Sequence, residues 1–147
     1  MKFWDSSALI PLIVGETTSE RMLSVADADP FFVVWWGTHV ECVSAIARLG
    51  REGKIDGPGT LEAFRGLDGL SSFWSEIDPS PVLRDIAIRL LRVHILRAGD
   101  ALQLAAAVVA AENHPPSLEF VCLDERLSEA AMKEGFRVVD GSRKGRK

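Results

Sequence analysis

Four carboxylates fall where a chain of alternating short strands and helices would expose them. Asp5 directly follows the apolar run Lys2-Phe3-Trp4, and Asp124 directly follows Phe120-Val121-Cys122-Leu123. Glu41 lies in the first turn of the helix expected after 31–36, and Asp100 starts the Ala-rich stretch that runs to Asn113. In an open parallel sheet, ligands bind beyond the carboxyl ends of the strands, where loops lead into helix N-termini. All four acids should therefore meet at one edge of the sheet. Taken singly, each has an ordinary explanation. Asp is a good helix cap, and Thr38-His39-Val40-Glu41 fits a capping box in which Glu41 reaches back to the cap. That explanation weakens for the set, because Ser, Thr or Asn would cap as well and only Thr38 is such a residue. Like carboxylates held within a few ångströms repel and are costly to desolvate. A hard cation relieves both costs, and carboxylates without His or Cys suit Mg²⁺ or Mn²⁺. Such an ion activates water and neutralises phosphodiester charge, so the chemistry implied is phosphodiester hydrolysis with no nucleophilic side chain.

The elements that must position these acids are legible as short apolar runs separated by helical patterns. Strands are expected at 2–4, 31–36, 120–123 and 137–139, where the apolar runs are short and rich in β-branched or aromatic residues. Helices are expected at 8–14, 18–28, 38 to about 53, 60 to about 74, 81–94, 100–113 and 125–133. Pro11 is tolerable in the first of these only if it lies in the first turn. The nearly all-apolar helix from Asp100 should be central. Doubly buried strands separated by helices predict an α/β fold with a central, mainly parallel sheet of four to five strands. One domain is expected over 1–141, followed by a basic, disordered tail at 142–147.

Composition bounds the rest. The 147 residues are 47% hydrophobic and 26% charged, which suits one globular domain and excludes global disorder. No apolar run approaches the ~20 residues of a membrane span. Asp5 interrupts the apolar start, so no secretory leader is expected and the chain reads as cytoplasmic. Cys42 and Cys122 stand far apart with no second pair, as inert core thiols rather than a disulfide framework or zinc knuckle. His39-Val40-Glu41 matches half of a zinc deaminase signature, but the Pro-Cys-x-x-Cys half is absent. Trp4, Trp35 and Trp36 are expected in the core, whereas Trp74, followed by a polar stretch, admits two readings, a core residue or an exposed patch for a partner. Arg84, Arg89, Arg92 and Arg97 precede Asp100 and read either as a solvated helix face or as a phosphate-contacting rim. The net charge of −4 argues against nucleic acid only at first sight, because setting the four acids aside leaves 17 acids against 17 bases.

At these residues the sequence resembles the PIN-domain ribonucleases, specifically the VapC-type toxins of toxin–antitoxin pairs. The matching segments are Phe3-Trp4-Asp5-Ser6-Ser7-Ala8-Leu9 and Thr38-His39-Val40-Glu41-Cys42-Val43-Ser44-Ala45. They continue with Ala98-Gly99-Asp100-Ala101-Leu102-Gln103-Leu104-Ala105-Ala106-Ala107 and Phe120-Val121-Cys122-Leu123-Asp124-Glu125-Arg126-Leu127. The acids follow one another at separations of 36, 59 and 24 residues, in the family's order. The resemblance implies a three-layer α/β/α PIN-like fold and a pocket formed by Asp5, Glu41, Asp100 and Asp124. Within it, Asp5 and Asp100 match the positions most directly tied to metal, Ser7 a supporting position, and Glu125 could share the role of Asp124. It further implies Mg²⁺- or Mn²⁺-dependent endonucleolytic cleavage of RNA, a homodimer and a cognate antitoxin in the groove. Two other readings are a different Mg²⁺-dependent phosphoester hydrolase and a non-catalytic, partner-binding PIN-like domain. Against the former, Ser7 stands where a phosphatase of this type would need a second acid. Cys122 departs from the Thr or other small residue often found at its position.

Overall fold

Lys2, Phe3 and Trp4 form the first of five short strands in the computed structural model, which describes residues 1–142. In chain order the elements are β1 (Lys2–Trp4), α1 (Ser6–Ile13), α2 (Ser19–Ala28), β2 (Phe32–Trp35), α3 (Thr38–Arg51) and α4 (Gly57–Ser71). There follow β3 (Ser75–Ile77), α5 (Pro81–Val93), α6 (Ala98–Ala110), a 3-10 turn (Pro115–Ser117), β4 (Glu119–Val121), α7 (Glu125–Lys133) and β5 (Arg137–Val139). All strand pairs are parallel and the order across the sheet is β3-β2-β1-β4-β5. The chain thus runs outward from β1 in one direction, returns, and continues on the other side. The point of reversal beside β1 is where such sheets place their ligand crevice.

Alternation along the strands builds the three layers. Phe3 turns to one face with Val33, Trp35 and Phe120, where they meet α5, α6 and α7. Trp4 turns to the other face with Phe32, Val34 and Val121, where they meet α1 to α4. The first face is filled largely by the small side chains of α6, in which Ala101, Leu104, Ala105, Ala106 and Ala107 are fully buried. This is the α/β/α architecture expected, with α6 central as its composition requires.

The structure departs from the sequence expectations at several points, each for a local reason. Asp5 caps α1 so early that the helix begins at Ser6, and Pro11 lies inside it rather than in its first turn. The edge strand β3 is absent from the expected strands, because Ser75 and Glu76 are exposed and carry no apolar signal. Trp74 is buried, with its indole N–H donating to Glu76 at 2.9 Å and its ring set edge-on to His39. Trp36 shows the reverse, since it lies past the end of β2 and is 53% exposed. Of the expected basic tail, residues 143–147 lie outside the described residues. Among the described residues, no helix is long and apolar enough to cross a membrane.

Candidate active site

Asp5 leaves β1 at the centre of the sheet and becomes the N-cap of α1, its Oδ2 accepting the Ser7 N–H at 3.1 Å. The cap accounts for one oxygen of a carboxylate that is only 4% exposed. Burial raises its pKa, the Ser7 side chain and backbone oppose the rise, and repulsion from Asp100 and Asp124 adds to it. The Ser7 hydroxyl accepts the Leu123 N–H at 3.0 Å, which ties the start of α1 to the end of β4. Cys122 sits beneath, its Sγ 3.8 Å from Asp5 Oδ2 and 3.5 Å from the Asp124 carbonyl oxygen. Burial, followed by the charge of Asp5, pushes its thiol up to about 12, so it is a neutral floor to the site. Asp124 caps α7, accepting the Leu127 N–H at 2.9 Å on Oδ1.

Glu41 does not form the capping box that its spacing suggests. Gly37 precedes α3 without any side-chain cap, and the Glu41 carboxylate turns instead toward α1 and α6. Its Oε2 accepts the Ser6 hydroxyl at 3.0 Å and the Gln103 amide at 3.2 Å. The same Gln103 nitrogen donates to Thr38 Oγ1 at 2.8 Å, so Thr38 serves as an anchor between helices rather than a cap. Burial raises the pKa of Glu41, the Gln103 and Ser6 donors oppose it, and Asp5 and Asp100 raise it further. Asp100 likewise is not a cap, because Arg97 holds that position and Asp100 lies in the first turn of α6. Its pKa is raised by burial first and Asp124 second, with the Arg97 backbone and the charges of Arg97 and Arg126 pulling the other way.

The four acids line one continuous groove. Two open clefts, of about 980 and 730 Å³, meet at Arg97, Asp100 and Asp124. The larger carries Arg126 and Lys133 with Glu125 and His94. The smaller carries Asp5, Ser7 and Glu41, with Arg48 and Lys54 further along. Of the four arginines considered for a rim, only Arg97 reaches the groove. Arg89 is instead tied to Glu134 at 2.9 Å, and Arg84 and Arg92 are exposed on α5 and line neither cleft. Glu125 is exposed in the first turn of α7 beside Asp124 and lines the larger cleft alone. Sequence reasoning does not single out Arg48, Lys54, Arg126 or Lys133, since exposed basic residues on helices and turns carry no positional signal. It also misses Gln103, which is detectable as the one polar residue in 101–111.

The donor set is suited to a hard divalent ion. Among the described residues none of the four acids forms an ion pair, although three of them bear raised pKa values from burial and from one another. No three acidic, His or Cys side chains among the described residues close around a single point in this arrangement. Mg²⁺, which keeps several waters and takes one or two carboxylates directly, asks less of the protein than an ion that needs a full cage. The absence of any His in the cluster disfavours zinc.

Comparison with known proteins bears on the fold and on the chain as a whole. No family model matches the chain. It is 26% identical over 140 residues to ribonucleases VapC45 and VapC49 from two strains of Mycobacterium tuberculosis, covering 93% of this chain and of each relative. Its fold is similar to a toxin–antitoxin complex from Klebsiella pneumoniae, with a TM-score of 0.65 and 17% identity over 97% of this chain and 98% of that one. It is similar also to the FitAcB crystal structure from Neisseria gonorrhoeae, with a TM-score of 0.63 and 16% identity over 96% and 98% of the two chains. The chain is thus similar along nearly its whole length to VapC ribonucleases, and its parallel-sheet fold to the two solved structures.

Proposed function

We propose that the chain is a divalent-metal-dependent endoribonuclease and the toxin of a toxin–antitoxin pair, acting on RNA in the cytoplasm. The observation that carries this reading is the junction of Asp5, Glu41, Asp100 and Asp124 in one open groove without a cationic partner among the described residues. Mg²⁺ or Mn²⁺ bound there would offset charge on the scissile phosphodiester and acidify a water. Asp5 and Asp100 are the residues from which most of the metal affinity is expected, with Glu41 and Asp124 completing the acidic wall. Asp5 is held rigidly by its cap to α1, and Asp100 by the first turn of α6, so the two carboxylates approach from different layers of the fold.

The basic residues are distributed as a polynucleotide requires. Arg126 lines one cleft and Arg48 and Lys54 the other, with Arg97 at their junction beside Asp100 and Asp124, so a single strand lying along both clefts meets cations on either side of the reacting phosphate. The groove is open along its length, which suits internal cleavage. Small phosphoesters would engage only its centre. An antitoxin partner is supported by the toxin–antitoxin complex among the fold neighbours, and exposed Val40 beside the acids gives a protein partner apolar surface at the groove's edge. Inducing the chain in bacterial cells and sequencing the RNA ends produced tests this reading. New internal RNA ends and growth arrest with the natural chain, and neither with Asp100→Asn at equal abundance, is the expected result. Growth arrest without new ends, or equal cleavage by the variant, would overturn it.

A further inference from the structure

Gln103 is fully buried on the inner face of α6, in a segment otherwise composed of Ala, Leu and Val. A buried amide is costly unless its groups are paired, and here Oε1 meets no donor among the described residues. The side chain is therefore not placed for its own satisfaction. Its nitrogen, by contrast, is used twice, at 2.8 Å to Thr38 Oγ1 and 3.2 Å to Glu41 Oε2. A carboxylate can only accept, which fixes the nitrogen, not the oxygen, toward Glu41.

The placement is reciprocal. Asp100 and Gln103 are three apart on α6, and Thr38 and Glu41 are three apart on α3, so each pair shares a helix face. The amide bridges the two pairs. Glu41 Oε2 is occupied by Gln103 and Ser6, whereas Oε1 accepts no hydrogen bond among the described residues and lies toward the start of α6. A Cβ built on Gly99, next to Asp100, would stand 3.8 Å from it.

We propose that Gln103 is a positioning residue: anchored by Thr38, it holds one oxygen of Glu41 so that the other faces the divalent ion beside Asp100. This rests on the metal-dependent reading of the same site. Outer partners that orient a ligating carboxylate commonly change metal affinity by roughly 10–100-fold when removed.

The test is a calorimetric Mn²⁺ titration of the full chain, run beside Mn²⁺-dependent RNA cleavage. Gln103→Met keeps the length and apolar packing of the side chain and removes the donor. Mn²⁺ affinity is expected to fall about 10-fold or more, with the metal concentration needed for half-maximal cleavage rising in parallel and KM for RNA unchanged. In a Glu41→Gln background the same substitution should add no further loss of affinity. Unchanged affinity in the single variant, or an equal loss in both backgrounds, overturns the proposal. If Gln103→Met does not fold, Thr38→Val, which removes the anchor of the amide, takes its place, and the same two results would overturn the proposal. A natural chain that neither binds Mn²⁺ nor cleaves RNA overturns the proposed function and this inference together. A natural chain that does both, with flat comparisons, removes only the role of Gln103.

Discussion

Replacing Asp5 by Asn separates what this carboxylate does for the fold from what it does for an ion. Asn caps a helix about as well as Asp, so the bond from the Ser7 N–H, 3.1 Å in the natural chain, survives the change. What disappears is a negative charge that is almost wholly buried and repelled by Asp100 and Asp124. The metal-free variant should therefore melt at or above the temperature of the natural chain. The response to metal should move the other way. At an ion concentration 100-fold above Kd, binding stabilises the natural chain by about 2.7 kcal/mol. For 147 residues, typical unfolding entropies convert 1 kcal/mol into about 3 °C, so Mn²⁺ should raise Tm by about 8–9 °C. In Asp5→Asn that rise should nearly vanish, and RNA cleavage should drop by at least about 100-fold, the equivalent of losing roughly 2.7 kcal/mol of transition-state stabilisation. Differential scanning fluorimetry in EDTA and across a Mn²⁺ series, with a gel assay on the same preparations, supplies both numbers. A variant that keeps the full metal-induced shift, or cleaves at the natural rate, would refute the assignment of Asp5.

Four further outcomes follow from particular contacts. Asp5, Glu41 and Asp100 all have folded pKa values above their ordinary ones, so the folded state binds more protons and stability falls as pH rises through those values. Metal-free protein should accordingly melt higher at pH 5 than at pH 7, and saturating Mg²⁺ should reduce or reverse that difference. Glu134→Gln weakens the bonds that the carboxylate accepts from Arg89 at 2.9 Å and from His94 at 2.7 Å, and should cost about 1–2 kcal/mol in urea unfolding at pH 7. Cys42 and Cys122, with thiols pushed up to about 12 chiefly by burial, should resist a disulfide reagent at pH 8 until the protein is unfolded. Arg97→Ala and Arg126→Ala should each raise KM for RNA and lower the slope of log affinity against log salt by about 0.7, leaving the metal-induced Tm shift intact.

The parts of the fold that can be read in the sequence are those where burial imposes a pattern. Phe32 to Trp35 and the Ala-rich α6 are apolar because both faces of the central sheet are covered, and α7 is marked by Asp124 before it and Gly135 after it. Parallel topology then brings strand exits to one edge, which is why Asp5 and Asp124 can be grouped with Glu41 and Asp100 from the sequence. Where an element is positioned by tertiary contact alone, no such pattern exists. The strand β3 is exposed and polar, and it pairs because β2 offers it an edge. Thr38-His39-Val40-Glu41 has the letters of a capping box, but α6 packs against α3 and offers Gln103 to both Thr38 and Glu41. The arginines upstream of Asp100 cannot be assigned by proximity in sequence, because α5 turns Arg84 and Arg92 away from the groove and Glu134 binds Arg89. Trp74 and Trp36 show the same limit, since one meets His39 and Glu76 while the other lies beyond the end of its strand.

If the four acids form a divalent-ion site that cuts RNA, activity must follow the ion. The most direct test is a time course of purified full-length chain on a structured RNA in Mg²⁺, in excess EDTA, and in EDTA with Mn²⁺ restored. Internal cleavage in Mg²⁺, none in EDTA, and recovery with Mn²⁺ are expected, with Asp100→Asn inactive throughout. Cleavage that continues undiminished in EDTA, or that Asp100→Asn performs as well as the natural chain, would contradict a metal site built on these acids.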